Sequence, residues 1–371
     1  MAGRIVLFGA TGYTGRLVAK ALTDTGGAPL LAGRNEEALE SLSDELGGEL
    51  ETATADVSDP RSVRDLLGDD DVMLTTVGPF ARWGAPAIEA AIDAGRPYLD
   101  STGEPAFIRR TFEEWGPRAE GSGAPLLTAL GYDWVPGNLA GALALQEAGE
   151  RARSVEVGYF ITGGGGAGLS AGMSGGTMAS LTGALLEPGF AYRGGRIVTE
   201  QGGRHVRDFE VKGKTRPAVS IGSSEHFTLP RLAEGITDVE AYLGWFGPMS
   251  RPMQAGSFAL GAIRRVPPLK RGVESLLGRF AKGSTGGPSE DERAAGGSYI
   301  VGMARGADGE QLAEVRLSGV DGYTFTGAFL AWAAQRALEG GIEGSGALGP
   351  AEAFGLDELE RGVSAAGISR A

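Results

Sequence analysis

The chain has no cysteine and only two histidines, His205 and His226, among 371 residues. Without thiols there is no disulfide framework. One pair of imidazoles also falls short of the thiolate and imidazole sets that hold zinc, so metal catalysis is not expected. No apolar run approaches the ~18 residues that a membrane-crossing helix needs. The first expected strand opens at Arg4, which leaves no space for a charged and then apolar leader, so a cytoplasmic protein is expected. Cations are outnumbered, 34 Lys+Arg against 47 Asp+Glu for a formal charge of -13. Most of the surface therefore repels nucleic-acid phosphates and anionic membranes, and nucleic acid is not an expected partner.

Glycine is abundant instead, with 64 residues, far above the usual share of ~7%. Hydrophobic content of 42% and charged content of 22% are ordinary for a globular enzyme, so the glycine excess is not a sign of disorder. The length allows a substantial core and points to two domains, or one with a large insertion.

Up to about residue 140, short apolar runs alternate with helical patterns. The expected strands are Arg4–Phe8, Pro29–Ala32, Glu51–Ala55, Val72–Val77, Pro97–Leu99 and Pro125–Thr128, separated by segments such as "TGRLVAKALTD" and "APAIEAAIDAG". This alternation reads as βαβ units on a parallel sheet. Beyond Ala152 the strands lengthen ("RSVEVGYFIT", "ITDVEAYLGW"), and "SYIVGMARGADGEQLAEVRLSG" reads as a hairpin turning at Asp308-Gly309. The expected fold class is α/β. Residues 1–140 form a Rossmann-like parallel-sheet domain to which 322–371 can return, and residues 141–321 form a second α+β domain on a largely antiparallel sheet.

The first strand breaks into "GATGYTG", with glycines at 9, 12 and 15. Gly9 serves the tight turn, Gly12 the close approach of backbone to a pyrophosphate, and Gly15 the packing of helix on sheet. The phosphate then sits on a helix N-terminus, whose N–H groups and dipole favour an anion. Because the first glycine follows a strand and the third opens a helix, the spacing reads as a dinucleotide fingerprint with Thr11, Tyr13 and Thr14 in contact range. At the end of the second strand stands "LAGRN", with Gly33 and Arg34 and no carboxylate. A cation there suits the 2′-phosphate of NADP, where an acid would favour NAD. Asp56 is placed for the adenine amino group or for a turn. "VGPF" (Val77, Gly78, Pro79, Phe80) ends the fourth strand where the nicotinamide half belongs, although Phe80 also suits the core.

Ligands of open α/β sheets bind beyond the carboxyl ends of the strands. After strands five and six these ends are "YLDSTGEP" and "ALGYDWVPGN". They offer Asp100, Glu104, Tyr132 and Asp133 as candidate catalytic groups for proton delivery, and Tyr98, Thr102 and Asn138 as substrate contacts. Strand-end capping is the alternative reading of each. Ser174 and Thr177, in a helix pattern of small residues, and His226 complete the candidate substrate set. Other mechanisms fail on spacing: no lysine has tyrosine four residues before it, and "VKGKT" has Asp208 where a Walker loop needs glycine. "GLSAG", with Ser170, matches a nucleophile elbow but lies in a glycine-rich segment.

The stretch Arg251–Lys282 holds seven basic residues and one acid, with Leu269, Val273, Leu276, Leu277 and Phe280 at helical spacing. It reads either as a helix packed on the second sheet or as a docking face for an acidic carrier protein or a lipid surface, beside a mobile-looking cover, "GSTGGPSEDERAAGG". Assembly is left open, with a homodimer among the options.

Together, "GATGYTG", "LAGR", "TVGPF", "YLDSTGE", "GYDWVPGN" and "ALGPAEAFG" resemble the saccharopine dehydrogenase-like oxidoreductases, and within them the trans-acting enoyl reductases known from actinobacterial lipid synthesis. The resemblance implies an NAD(P)-binding Rossmann domain with an inserted α/β domain, and reduction of a C=C or C=N bond. Members of the family often carry aspartate where this chain has Asn138, and the arginine pairs expected for a dicarboxylate are not evident. The expectation is therefore NADPH-dependent reduction of an activated C=C bond in an acyl or polyketide-like substrate. C=N reduction, a non-catalytic NADP sensor and a serine hydrolase are the alternatives.

Overall fold

The computed structural model describes residues 3–163, 189–252, 254–255 and 286–371. They form two compact units. The first comprises Met1–Gly103, Phe107–Val135 and Gly322–Gly367; the second comprises Glu104–Ala106, Pro136–Asp321 and Ile368–Ala371.

In the first unit, strands β1 (Ile5–Phe8), β2 (Leu30–Gly33), β3 (Thr52–Thr54), β4 (Val72–Thr75), β5 (Tyr98–Asp100) and β6 (Pro125–Leu127) form a parallel sheet. A seventh strand, Gly346–Ala347, is added beside β6, giving the order Gly346–Ala347, β6, β5, β4, β1, β2, β3. Strands β1 and β4 are buried on both faces, which is why they read as unbroken apolar runs rather than alternating ones. The chain builds outward from β1 to β3 and then crosses to β4 on the other side of β1. The two halves diverge there, so the loops after β1 and β4 border a crevice at the carboxyl ends of the strands.

Among the described residues the second unit holds a nine-stranded sheet in which β7 (Ser154–Gly163) is central. Gly296–Arg305 pairs with β7 and, with Gln311–Gly319, forms the expected hairpin, with Gly309 at φ +78° in the turn. Among the described residues one pairing in this sheet is parallel, that of β7 with Asp238–Leu243. These are the two segments read as long alternating strands. "VKGKT" is a hairpin turn: Lys212 and Gly213, both at positive φ, join two antiparallel strands, Val206–Val211 and Lys214–Ile221. The chain terminus, Ile368–Arg370, pairs with Gln311–Gly319 in this second sheet. No helix among the described residues is long and apolar enough to cross a membrane.

Candidate functional site

The turn after β1 is built from backbone hydrogen bonds. Gly9 N–H donates to Ala32 O (2.8 Å) and Gly12 N–H to Gly9 O (3.0 Å), while Thr76 Oγ1 also donates to Gly9 O (3.1 Å). Gly9 adopts φ +92°, a region costly for residues with a Cβ. A Cβ on Gly15 would lie 2.2 Å from Gly9 O, so that glycine is imposed by helix-on-turn packing. Gly12 differs: a Cβ there would meet one protein atom, Gly9 O at 3.3 Å, and nothing else within 4 Å. Gly12 is also the N-cap of helix α1 (Tyr13–Asp24), with no side-chain cap and no acidic residue in the first turn.

Thr11 Oγ1 would lie 3.9 Å from a Cβ on Gly33, which brings the glycine turn beside the end of β2. Arg34 follows there, exposed. Asn35 caps the next helix by accepting from Ala38 N–H (3.1 Å). Asp56 makes a turn, its Oδ1 accepting from Ser58 N–H at 2.7 Å, and hydrogen bonds from Ser58 hold its carboxyl below the usual range. Gly78 is exposed and Val77 and Pro79 are half-buried. Phe80 is buried, its ring 5.6 Å from that of Phe107.

At the end of β5, Asp100 is fully buried. Its Oδ1 accepts from Thr102 N–H (2.8 Å) and Ala129 N–H (2.9 Å), and its Oδ2 from Thr128 Oγ1 (2.8 Å). Burial raises its pKa to about 6 despite these donors. The carboxyl thus clamps the ends of β5 and β6 and supports Ala129 at φ +62°. Tyr98 and Thr102 share this buried cluster, and burial pushes the Tyr98 phenol well above its ordinary value. In the turn after β6, Tyr132 N–H donates to Thr326 Oγ1 (2.9 Å) and the Tyr132 side chain is buried. Asp133 is partly exposed, and a Cβ on Gly103 would lie 3.2 Å from its Oδ2. Glu104, grouped with the second unit, is buried and immediately precedes the helix Pro105–Arg110.

The second unit gathers Asn138 and His226. Asn138 Nδ2 donates to Ser224 Oγ (2.9 Å), and its Oδ1 accepts from Thr228 Oγ1 (2.5 Å). Between Ser224 and Thr228 lies Glu225, which sequence reading passed over in favour of its neighbour His226. Glu225 is fully buried and accepts from Tyr159 Oη at 2.6 Å, and burial lifts its pKa to about 7. His226 packs edge-on against Phe190 at 5.5 Å with Nδ1 3.1 Å from Ser223 Oγ. Burial lowers its pKa to about 4, so it is neutral near pH 7 and behaves as a core residue. Ser174, Thr177 and Ser170 lie outside the described residues, as does most of 251–282. Within that stretch Arg251 pairs with Asp208 at 2.9 Å. In the stretch read as a mobile cover, Glu290–Ala295 is a helix closed by a Ser289–Glu292 capping box. No metal-holding cluster of His, Asp or Glu occurs among the described residues.

Residues 5–123 match the family described as the saccharopine dehydrogenase NADP binding domain. That stretch of the chain is thus similar to a saccharopine dehydrogenase NADP-binding domain. Two mycobacterial proteins named trans-acting enoyl reductase are similar to part of the chain: that of Mycobacterium leprae is 38% identical and that of Mycobacterium ulcerans 37% identical, each over 140 residues. Each match covers 36% of this chain and 34% of the relative, so the chain spans about a third of the length of the curated relatives it matches. Across 97% of this chain and 96% of the other, the fold is similar to apo saccharopine dehydrogenase (L-Glu forming) from Saccharomyces cerevisiae, with a TM-score of 0.59 at 14% identity.

The residues of the first unit fit a dinucleotide on the structure's own terms. At Gly12 the missing side chain leaves open space beside an uncapped helix N-terminus, a cradle for a pyrophosphate. Arg34 stands exposed where a ribose 2′-phosphate would need a cation.

Proposed function

We propose that the protein is an NADPH-dependent reductase acting on an activated C=C bond of an acyl or polyketide-like substrate. The observation that supports it most directly is the open, uncapped cradle at Gly12 together with the exposed Arg34 at the end of β2. NADPH supplies the hydride; the protein's own residues bind it, orient it and manage the proton. Gly12 and the first turn of α1 hold the pyrophosphate, and Arg34 the 2′-phosphate. Asp100 acts as a positioning residue that keeps the ends of β5 and β6 in place, since its acceptors are already taken. Of Asp100, Glu104, Tyr132 and Asp133, only Asp133 is partly exposed, so it is the residue assigned to relay the proton to the carbon opposite the hydride.

The enoyl assignment draws on the names of the mycobacterial relatives. An imine substrate is disfavoured by Asn138, which is an amide with both ends held by Ser224 and Thr228 and so supplies no anion for an ammonium group. A carrier-bound substrate is the form in which an acyl chain is passed in trans. The test is NADPH consumption with an enoyl thioester of N-acetylcysteamine, compared with a 2-oxo acid plus an amino acid. Consumption with the enoyl thioester alone is expected. Consumption confined to the oxo acid and amine would replace this reading by C=N reduction.

A further inference from the structure

The domain match ends at residue 123, yet the helix Gly322–Leu338 belongs to the same compact unit. It lies along the length of α1. Near the start of α1 the ring of Tyr323 meets that of Tyr13 edge-on, with centroids 5.2 Å apart at 88°. Further along, Gly327 is close enough to α1 that a Cβ would lie 2.9 Å from Leu17 Cβ. Just past the C-terminal end of α1, Gln335 Nε2 donates to Thr25 Oγ1 at 2.7 Å. The first turn of the same helix also grips the turn after β6. Thr326 Oγ1 accepts from Tyr132 N–H, and Cβ atoms on Gly131 and Gly322 would lie 3.2 Å from Thr326 and 3.0 Å from the Tyr132 ring.

One rigid element thus ties the glycine turn, through Tyr13, to the β6 turn, through Tyr132. These turns follow the two strand ends at which the phosphate half of a dinucleotide and the reacting substrate would be held. Tyr13 is the residue after Gly12 and opens α1.

We propose that Tyr323 is a positioning residue for NADP(H): its edge contact with Tyr13 holds the first turn of α1 in the phosphate-binding geometry, making the chain's C-terminal segment part of the cofactor site. This rests on the NADP reading above. The experiment measures NADPH dissociation constants by fluorescence titration of the full chain, with the melting temperature of each variant recorded beside it. Tyr323→Leu is expected to raise the NADPH dissociation constant about fivefold, the affinity equivalent of one aromatic pair. Tyr323→Phe keeps the ring and restores wild-type binding. In a cycle with Tyr13→Leu, the double variant is expected to bind no worse than the weaker single variant. If Tyr323→Leu does not fold, Tyr323→Met, which retains volume without a ring, takes its place. A folded Leu or Met variant that binds NADPH within twofold of wild type, or a Phe variant that loses as much as Leu, would overturn the proposal. Failure of the wild-type chain to bind NADPH would be a different result, because it removes the cofactor reading itself.

Discussion

Tyr159 donates its phenolic hydrogen to Glu225 Oε1 across 2.6 Å while accepting Gly137 N–H at 2.9 Å. Gly137 is glycine because of this pair, since a Cβ there would lie 2.0 Å from the phenolic oxygen. Tyr159→Phe leaves the Gly137 N–H and a buried carboxyl without this partner and is expected to cost about 1–3 kcal/mol. The pH dependence has a definite sign. Burial raises the folded-state pKa of Glu225 to about 7, so the native state holds this proton more tightly than the unfolded chain. The resulting stability is complete below the unfolded carboxyl pKa and is lost as pH rises through about 7. Glu225→Gln should therefore flatten the fall in stability between about pH 5 and about pH 8 by up to about 3 kcal/mol. Asp100 and Glu240, shifted in the same direction, keep part of the slope. Urea denaturation across that range is the measurement, and an unchanged slope in the Gln variant counts against a raised Glu225.

Gly12 and Gly15 should separate binding from folding. Gly15→Ala places a Cβ 2.2 Å from Gly9 O and is expected to lower the melting temperature and cofactor binding together. Gly12→Ala meets only a 3.3 Å contact, so its melting temperature should stay near wild type while NADPH binding falls. Equal thermal loss in the two variants would show that Gly12, too, is glycine for packing.

Arg34→Asp removes a charge-assisted pair and adds repulsion. The expected outcome is NADPH binding weakened about 10- to 100-fold with little change for NADH. Titration of both cofactors checks it, and equal losses would take Arg34 away from the 2′-phosphate.

Asp133→Asn keeps size and removes the proton-carrying carboxyl. Turnover of the enoyl thioester should drop about 100-fold or more with the NADPH dissociation constant unchanged. Asp100→Asn, by contrast, should lower the melting temperature, because its loss loosens the bonds to Thr102, Thr128 and Ala129. A turnover deficit confined to Asp100→Asn would transfer the proton role to that residue.

Reversal of Lys270, Arg271 and Arg279 to glutamate tests the basic stretch as a carrier-protein dock. Reduction of a carrier-bound substrate should slow in a salt-sensitive way, and that of the small thioester should not. Parallel losses on both substrates would assign the stretch to folding.

Much of the first unit was legible in residue order, because local chemistry specifies it. Apolar runs of strand length, glycines at turns and caps such as Asn35 depend on near neighbours, so the parallel sheet, the glycine turn and the exposed Arg34 follow from the sequence directly. The hairpin at Asp308-Gly309 was legible for the same reason. Tertiary structure decided whatever depends on partners distant in sequence. Phe80 is drawn into the core by Phe107, 27 residues on. Asp100 meets its donors 28 and 29 residues away. Glu225 is unremarkable in "SSEHFT" until Tyr159, 66 residues earlier, reaches it in the buried interior. Tyr323 joins the glycine turn only once the far end of the chain lies along α1. No local pattern encodes these meetings, since burial and hydrogen bonding are properties of the folded surroundings rather than of the residue itself.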